Sequence, residues 1–163
     1  MDLRFDIGKY QQSLVNVAYR ITNDIECARD IVQDTYVTVL QTNGTFNGFS
    51  SLKTYLYRIV INKCIDARRR QARWLRLSDT ISKELPWGQR NTEEDFDGSY
   101  FVRGLLKNIP DKFRIPLVLA EVDEMSYEEI AETLQISLNT VRTRIYRCRE
   151  KLRKELVKTG RLP

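Results

Sequence analysis

The chain has no histidine, only three cysteines, and few of the residues that break helices, with seven glycines and four prolines. Without imidazole a Cys/His zinc site cannot be built, and Cys27, Cys64 and Cys148 stand far apart with no C-x-x-C pair. Scattered thiols in odd number fit a reducing compartment, where a free cysteine is more often a small buried hydrophobe than a redox centre. No apolar run approaches the roughly 20 residues that cross a bilayer, and the start MDLRFDIGKY lacks a signal-peptide core. No nucleophile–base pair, metal-ligand cluster or phosphate-binding glycine loop is visible. The expectation is a cytoplasmic protein that does not insert into membranes, needs no cofactor and is not an enzyme.

What is present favours helices. A hydrophobic fraction of 42% supplies packed cores, while 30% charged residues with so little glycine and proline argue against turn-rich sheets, so the fold class expected is all-α. The 27 basic residues exceed the 22 acidic ones by only five, an excess that matters where it is concentrated.

Tyr10, Leu14, Val17, Ala18 and Ile21 recur at three- and four-residue steps and predict a first helix. Asn23-Asp24 breaks and re-caps the chain, after which Ile25, Ala28, Ile31, Val32, Val39 and Leu40 carry the same period to about Thr42. Residues 43–51 are a Gly/Asn/Ser loop around Phe46 and Phe49. A third stripe, Leu52, Tyr55, Leu56, Ile59, Val60, Lys63, Cys64 and Ala67, runs into the basic stretch Arg68-Arg69-Arg70-Gln71-Ala72-Arg73, with the Lys63 stem able to snorkel. Three such helices make a small domain, residues 1–76. Residues 77–99 hold Pro86, Gly88, Gly98 and six acidic residues, and read as a linker.

Residues 100–163 form a second helical domain. Leu105 and Leu106 lead to Ile109-Pro110, Asp111 is expected to cap a helix carrying Phe113, Leu117 and Ala120, and Pro116 sits early in it. Ser126-Tyr127-Glu128-Glu129 is a capping box ahead of Ile130, Ala131 and Leu134. After the turn Gln135-Ile136-Ser137, a last helix buries Val141, Ile145, Cys148, Leu152 and Leu156 and carries arginines and lysines around the rest. Residues 126–149 therefore read as a helix-turn-helix, whose second helix would present Arg142, Thr143, Tyr146 and Arg147 to a major groove. A plain antiparallel helix pair with a solvated basic face is the alternative. The basic stretch after Ile65 is explained equally well by cations at a helix C-terminus, until the aromatic loop beside it is added, since single strands are held by backbone charge plus stacking. Asp30, Gln33, Asp34 and Val37 form a polar-faced stripe on the second helix.

Several of these runs stand in one order. Asp30-Ile31-Val32-Gln33-Asp34-Thr35-Tyr36 comes first, then Tyr55-Leu56-Tyr57-Arg58-Ile59-Val60-Ile61-Asn62 with Asp66 and Arg69 beyond it. Leu106-Lys107-Asn108-Ile109-Pro110 and the helix-turn-helix follow. In that order they resemble the extracytoplasmic-function sigma factors, the smallest members of the sigma-70 family, over nearly the whole chain. The departures are Tyr55, where the family often has Trp, and Ser137-Leu138-Asn139-Thr140-Val141, where it commonly has Pro-x-Gly-Thr-Val; Asn tolerates the left-handed or capping conformations that glycine supplies.

The resemblance implies an alternative sigma subunit that binds bacterial core RNA polymerase, directs it to promoters and assists their opening. It implies core-polymerase contacts from Asp30, Gln33, Asp34 and Tyr36. It implies contacts to the single-stranded minus-10 element from Phe46, Phe49, Lys53, Tyr55, Arg58, Asn62, Asp66, Arg69 and Arg70. Contacts to the duplex minus-35 element would come from Ser137, Asn139, Thr140, Arg142, Thr143, Arg144, Tyr146 and Arg147. With no sensory domain in view, control is expected from an anti-sigma factor. The rival readings are a helix-turn-helix regulator acting without polymerase and a helical scaffold with incidental basic faces.

Overall fold

A computed structural model describes residues 8–41, 50–78, 104–106 and 108–160. Every regular element among them is helical, and the chain divides into two units, Met1–Arg90 and Asn91–Pro163. The fold is all-α.

In the first unit the three stripes become α1 (Gln11–Thr22), α2 (Ile25–Gln41) and α3 (Leu52–Ser78), each packed on the other two. Leu14, Val17, Ala18 and Ile21 of α1 are almost wholly buried. Asn23 ends α1 in the left-handed conformation, φ 56°, and its N–H reaches the Tyr19 carbonyl at 2.7 Å. Asp24 then starts α2 by accepting the Cys27 N–H at 3.0 Å. The buried hydroxyls of Thr22 and Thr35 donate to the Ala18 and Ile31 carbonyls at 2.8 Å, so each satisfies itself within its own helix. This lets Thr35 join Ala28, Ile31, Val32 and Val39 in the core.

Three expectations change. Leu40 is 45% exposed, because one step beyond Val39 turns the side chain about 100° away from the buried line. On α3 the buried set is Thr54, Leu56, Tyr57, Val60, Ile61 and Cys64, while Tyr55 and Ile59 are half-buried. This helix is apolar on both flanks of Leu56 and Val60, and α1 and α2 cover the Tyr57–Ile61 flank. The third is the end of α3, which runs to Ser78, through Leu77 where the linker was expected to start. Lys63 does snorkel, and its Nζ donates to Thr38 Oγ1 at 3.2 Å. Residues 43–49 of the aromatic loop and the remainder of the acidic stretch lie outside the described residues.

The second unit holds α4 (Asp111–Glu121), α5 (Tyr127–Leu134) and α6 (Leu138–Lys158). Residues 113 to 119 of α4 are all buried, more of the circumference than an amphipathic stripe requires, because both α5 and α6 pack on it. Asp111 does not cap this helix. Pro110, with φ −54° and ψ 140°, is the N-cap without a side-chain bond, and Asp111 occupies the first turn, where a carboxylate favours the helix dipole. Its Oδ1 accepts from Arg114 Nη2 at 2.8 Å. The Arg114 side chain is only 3% exposed, so this pairing offsets the cost of burying a guanidinium inside the apolar run.

Candidate nucleic-acid interface

The second unit builds its site from two capped helix starts. Ser126 Oγ accepts the Glu129 N–H at 3.1 Å while Glu129 Oε2 accepts the Ser126 N–H at 2.8 Å, which fixes the entry of α5. α5 ends at Gln135, left-handed at φ 54°, and the Ile136 N–H closes back on the Ala131 carbonyl at 3.0 Å. Ser137 Oγ then accepts the Thr140 N–H at 3.1 Å and shares a 2.8 Å hydrogen bond with Thr140 Oγ1. The left-handed position of the turn is thus Gln135, and Asn139, expected to replace a glycine there, sits inside the first turn of α6. The hydroxyls of Ser137 and Thr140 serve the cap.

Val141, Ile145 and Cys148, all buried, pin the rotation of α6 against α4 and α5. Arg149 adds a tie, since its guanidinium donates to Glu121 at the end of α4 and that bond raises its pKa further above the ordinary arginine value. Asn139, Arg142, Thr143, Tyr146 and Arg147 are exposed on the remaining surface, with Tyr146 at 65%. Arg144 is half-buried and lies with Asn139, Thr140, Thr143 and Arg147 along an open cleft whose far wall is Lys112 and Phe113 of α4. Lys112 was not legible from the sequence, because nothing in a lone lysine after Pro110-Asp111 signals the neighbouring helix. Lys151 has its Nζ 5.9 Å from the centre of the Phe113 ring, a cation–π contact on the same side.

In the first unit the polar face of α2 leaves Asp30, Gln33 and Asp34 exposed, and adds Val37 at 51% and Leu40 at 45%. Tyr36 flanks this face in a groove with Lys9, Gln12, Arg29 and Gln33, where burial pushes its phenol pKa up. On α3, steps of three and four residues carry Tyr55, Arg58, Asn62, Asp66 and Arg69 along the side opposite Leu56, Val60 and Cys64, continuing to Arg73 and Arg76. Asp66 and Arg69 form a loose 3.8 Å ion pair. Arg70, exposed, stands beside that line, and Arg69, Arg70, Arg73 and Arg76 border one shallow depression. Lys53 is not among them, for it leans over the Tyr57 ring at 5.9 Å on the packed side. Phe46 and Phe49 lie outside the described residues.

The cysteines take no part. Burial pushes Cys64 up to about 12 and Cys148 up to about 11, and raises Cys27 with help from Asp24. All three therefore stay as thiols at neutral pH, and Cys64 and Cys148 are buried as the hydrophobe reading expects, whereas Cys27 is half-buried. Among the described residues no group of acidic or cysteine side chains is placed to hold a metal ion, and no helix is long and apolar enough to cross a membrane.

Comparison with known proteins places this geometry in a family. Residues 7–74 match Sigma-70 region 2, and residues 102–152 match Sigma-70, region 4. The chain is 35% identical over 159 residues to the RNA polymerase sigma factor YlaC of Bacillus subtilis, covering 93% of this chain and 90% of that protein. It is 30% identical over 161 residues to the ECF RNA polymerase sigma factor SigW of the same organism, covering 90% and 84%. Among solved structures, the sigma factor RpoE of Bartonella quintana, in complex with the anti-sigma factor NepR, shares the fold with a TM-score of 0.74 at 24% identity, over 96% of this chain and 97% of that one. The chain belongs to the sigma-70 family of RNA polymerase sigma factors, within its extracytoplasmic-function group.

Proposed function

We propose that this chain works in the cytoplasm as an alternative sigma subunit, joining core RNA polymerase, bringing it to particular promoters and helping to open them, while the polymerase makes the bonds. The observation that carries this reading is the pairing, in one chain, of a region 2 match with a region 4 match that contains a capped helix-turn-helix. Domain roles follow the two units: residues 1–76 for polymerase and minus-10 DNA, residues 77–99 as the acidic connection, residues 100–163 for the minus-35 duplex.

Asp30, Gln33 and Asp34, with Tyr36 at the flank, supply the charged part of the polymerase contact, and the exposed Val37 and Leu40 give it apolar area. Opening DNA costs about 1.4 kcal/mol per stacked step, and capture of an extruded base offsets part of it. Tyr55, Arg58, Asn62, Asp66, Arg69 and Arg70 line the α3 face assigned to that strand, with Phe46 and Phe49 from the preceding segment. Arg142, Thr143, Arg144, Tyr146 and Arg147 face the minus-35 groove, and Lys112 adds a phosphate contact from α4. An anti-sigma protein covering these faces keeps the subunit inactive. Transcription in vitro with core polymerase over a promoter library tests the reading. Initiation from promoters sharing two spaced elements supports it, and tight duplex binding without polymerase and with no initiation would favour a conventional regulator.

A further inference from the structure

The first turn of α6 holds an asparagine whose side chain is engaged by none of the described residues. Asn139 is exposed in the first turn, one residue past Leu138, and its backbone carbonyl, not its carboxamide, accepts the Thr143 hydroxyl at 2.9 Å. The buried Val141, Ile145 and Cys148 define the back of the helix. At 100° per residue, Asn139, Thr143 and Tyr146 fall on the ridge directly opposite, with Arg142 and Arg147 on its two flanks. A helix entering a major groove by its N-terminal residues sets such a ridge toward the base edges, and its flanks toward the outer bases and the strands.

From this ridge we infer that Asn139 is a base-reading residue that selects adenine at one position of the minus-35 duplex. A carboxamide offers one donor and one acceptor side by side, the complement of the N7 acceptor and N6 amino donor of adenine in the major groove. Guanine presents two acceptors there, so one of its bonds would go unmade. Thr143 reinforces the selection. With its hydroxyl proton directed at the Asn139 carbonyl, it turns a methyl group and lone pairs outward, a surface suited to a thymine methyl. The hydroxyls of Ser137 and Thr140, by contrast, are engaged in the cap and leave Asn139 as the polar group of the first turn free to reach a base.

This inference rests on the sigma-factor reading, and its test separates the two. Holoenzyme made from core polymerase and the full chain is assayed on all single-base-pair variants of the minus-35 element, with wild type and Asn139→Ala side by side. The substitution is at an exposed helix position and leaves the Ser137 cap intact. The expected result is a loss of roughly tenfold or more in preference for adenine at one position, with rankings at the others unchanged. A second probe, 7-deazaadenine placed at each adenine in turn, removes only the N7 acceptor. It should weaken wild-type binding at that same position and leave Asn139→Ala unaffected. An even loss across all variants, an unchanged ranking, or indifference of the wild type to 7-deazaadenine everywhere would overturn the assignment while the holoenzyme still initiates. If the wild-type chain directs no initiation at all, the sigma-factor reading itself fails.

Discussion

In each unit the last described helix is long and crowded with arginine, yet α3 and α6 carry that charge in different ways. On α6 the arginines are interleaved with the buried Val141, Ile145 and Cys148, so the core fixes where each one points. On α3 no described side chain beyond Cys64 is buried, and Arg69, Arg70, Arg73 and Arg76 follow the last of the core, with Trp74 and Leu77 at 61% and 78% exposure among them. A charge whose bearing is fixed to within a helix rotation can discriminate one base edge from another. A charge on a projecting helix end meets a phosphate wherever one passes. The difference teaches that basic composition alone does not separate sequence reading from backbone attraction, and that the burial of the residues in between does.

The largest effect that would break this comparison is on stability. Ile145→Ala empties a fully buried site and is expected to destabilise the second unit by about 2–5 kcal/mol, whereas Leu77→Ala on the end of α3 should stay within about 0.5 kcal/mol. Denaturant unfolding of the two variants checks this, and comparable losses would mean that the end of α3 is packed after all. Next in size is the polymerase contact. Reversing Asp30 and Asp34 to Lys should weaken assembly with core polymerase by roughly tenfold or more at unchanged helicity, read by co-purification and circular dichroism. Wild-type assembly would remove that face from the interface.

Much of this was legible in the sequence. The α1 stripe, the Ser126–Glu129 capping box and the rotation of α6 follow from periodicity and cap chemistry, because each is set by residues within one or two turns of each other. What stayed hidden depends on neighbours distant in sequence. α3 is apolar over more of its surface than α1 and α2 cover, so the period could not choose between Tyr55–Ile59 and Tyr57–Ile61. Arg114 lies in an apolar run and is buried because α5 and α6 both pack on α4, with Asp111 as its ion-pair partner. Lys112 belongs to the cleft because α4 and α6 cross there. The left-handed turn residue is Gln135, one of the less expected types for that conformation, and the chemistry of Asn139 gave a reason to look in the wrong place.

A smaller effect concerns the capping box. Ser126→Ala should cost about 1 kcal/mol and lower minus-35 binding only as far as it loosens α5 beneath α6, measurable as a shift in the denaturation midpoint. Another effect is a pH dependence in the first unit. Burial raises the folded-state pKa of Cys64 from 9.0 to about 12, and the neutral thiol is the acid form. Its contribution is therefore complete below about pH 9 and is lost as pH climbs through the folded value. Denaturation midpoints at about pH 8 and about pH 10.5 should fall further for wild type than for Cys64→Val, and parallel declines would mean that the thiol is already ionised in the fold.

The contrast between the two arginine sets is tested most directly by holoenzyme binding to minus-35 variants across a range of salt. One variant carries Ala at Arg69, Arg70, Arg73 and Arg76, the other Ala at Arg142 and Arg147. The α3 variant should bind every sequence more weakly in the same proportion and lower the salt dependence by about 0.7 in log–log slope for each single-strand phosphate it no longer neutralises. The α6 variant should instead reorder the preferred bases at particular positions, by about 1–3 kcal/mol each, while Lys151→Ala and Lys154→Ala leave the order intact. A change of base ranking from the α3 arginines, or an even loss from Arg142 and Arg147, would contradict the account.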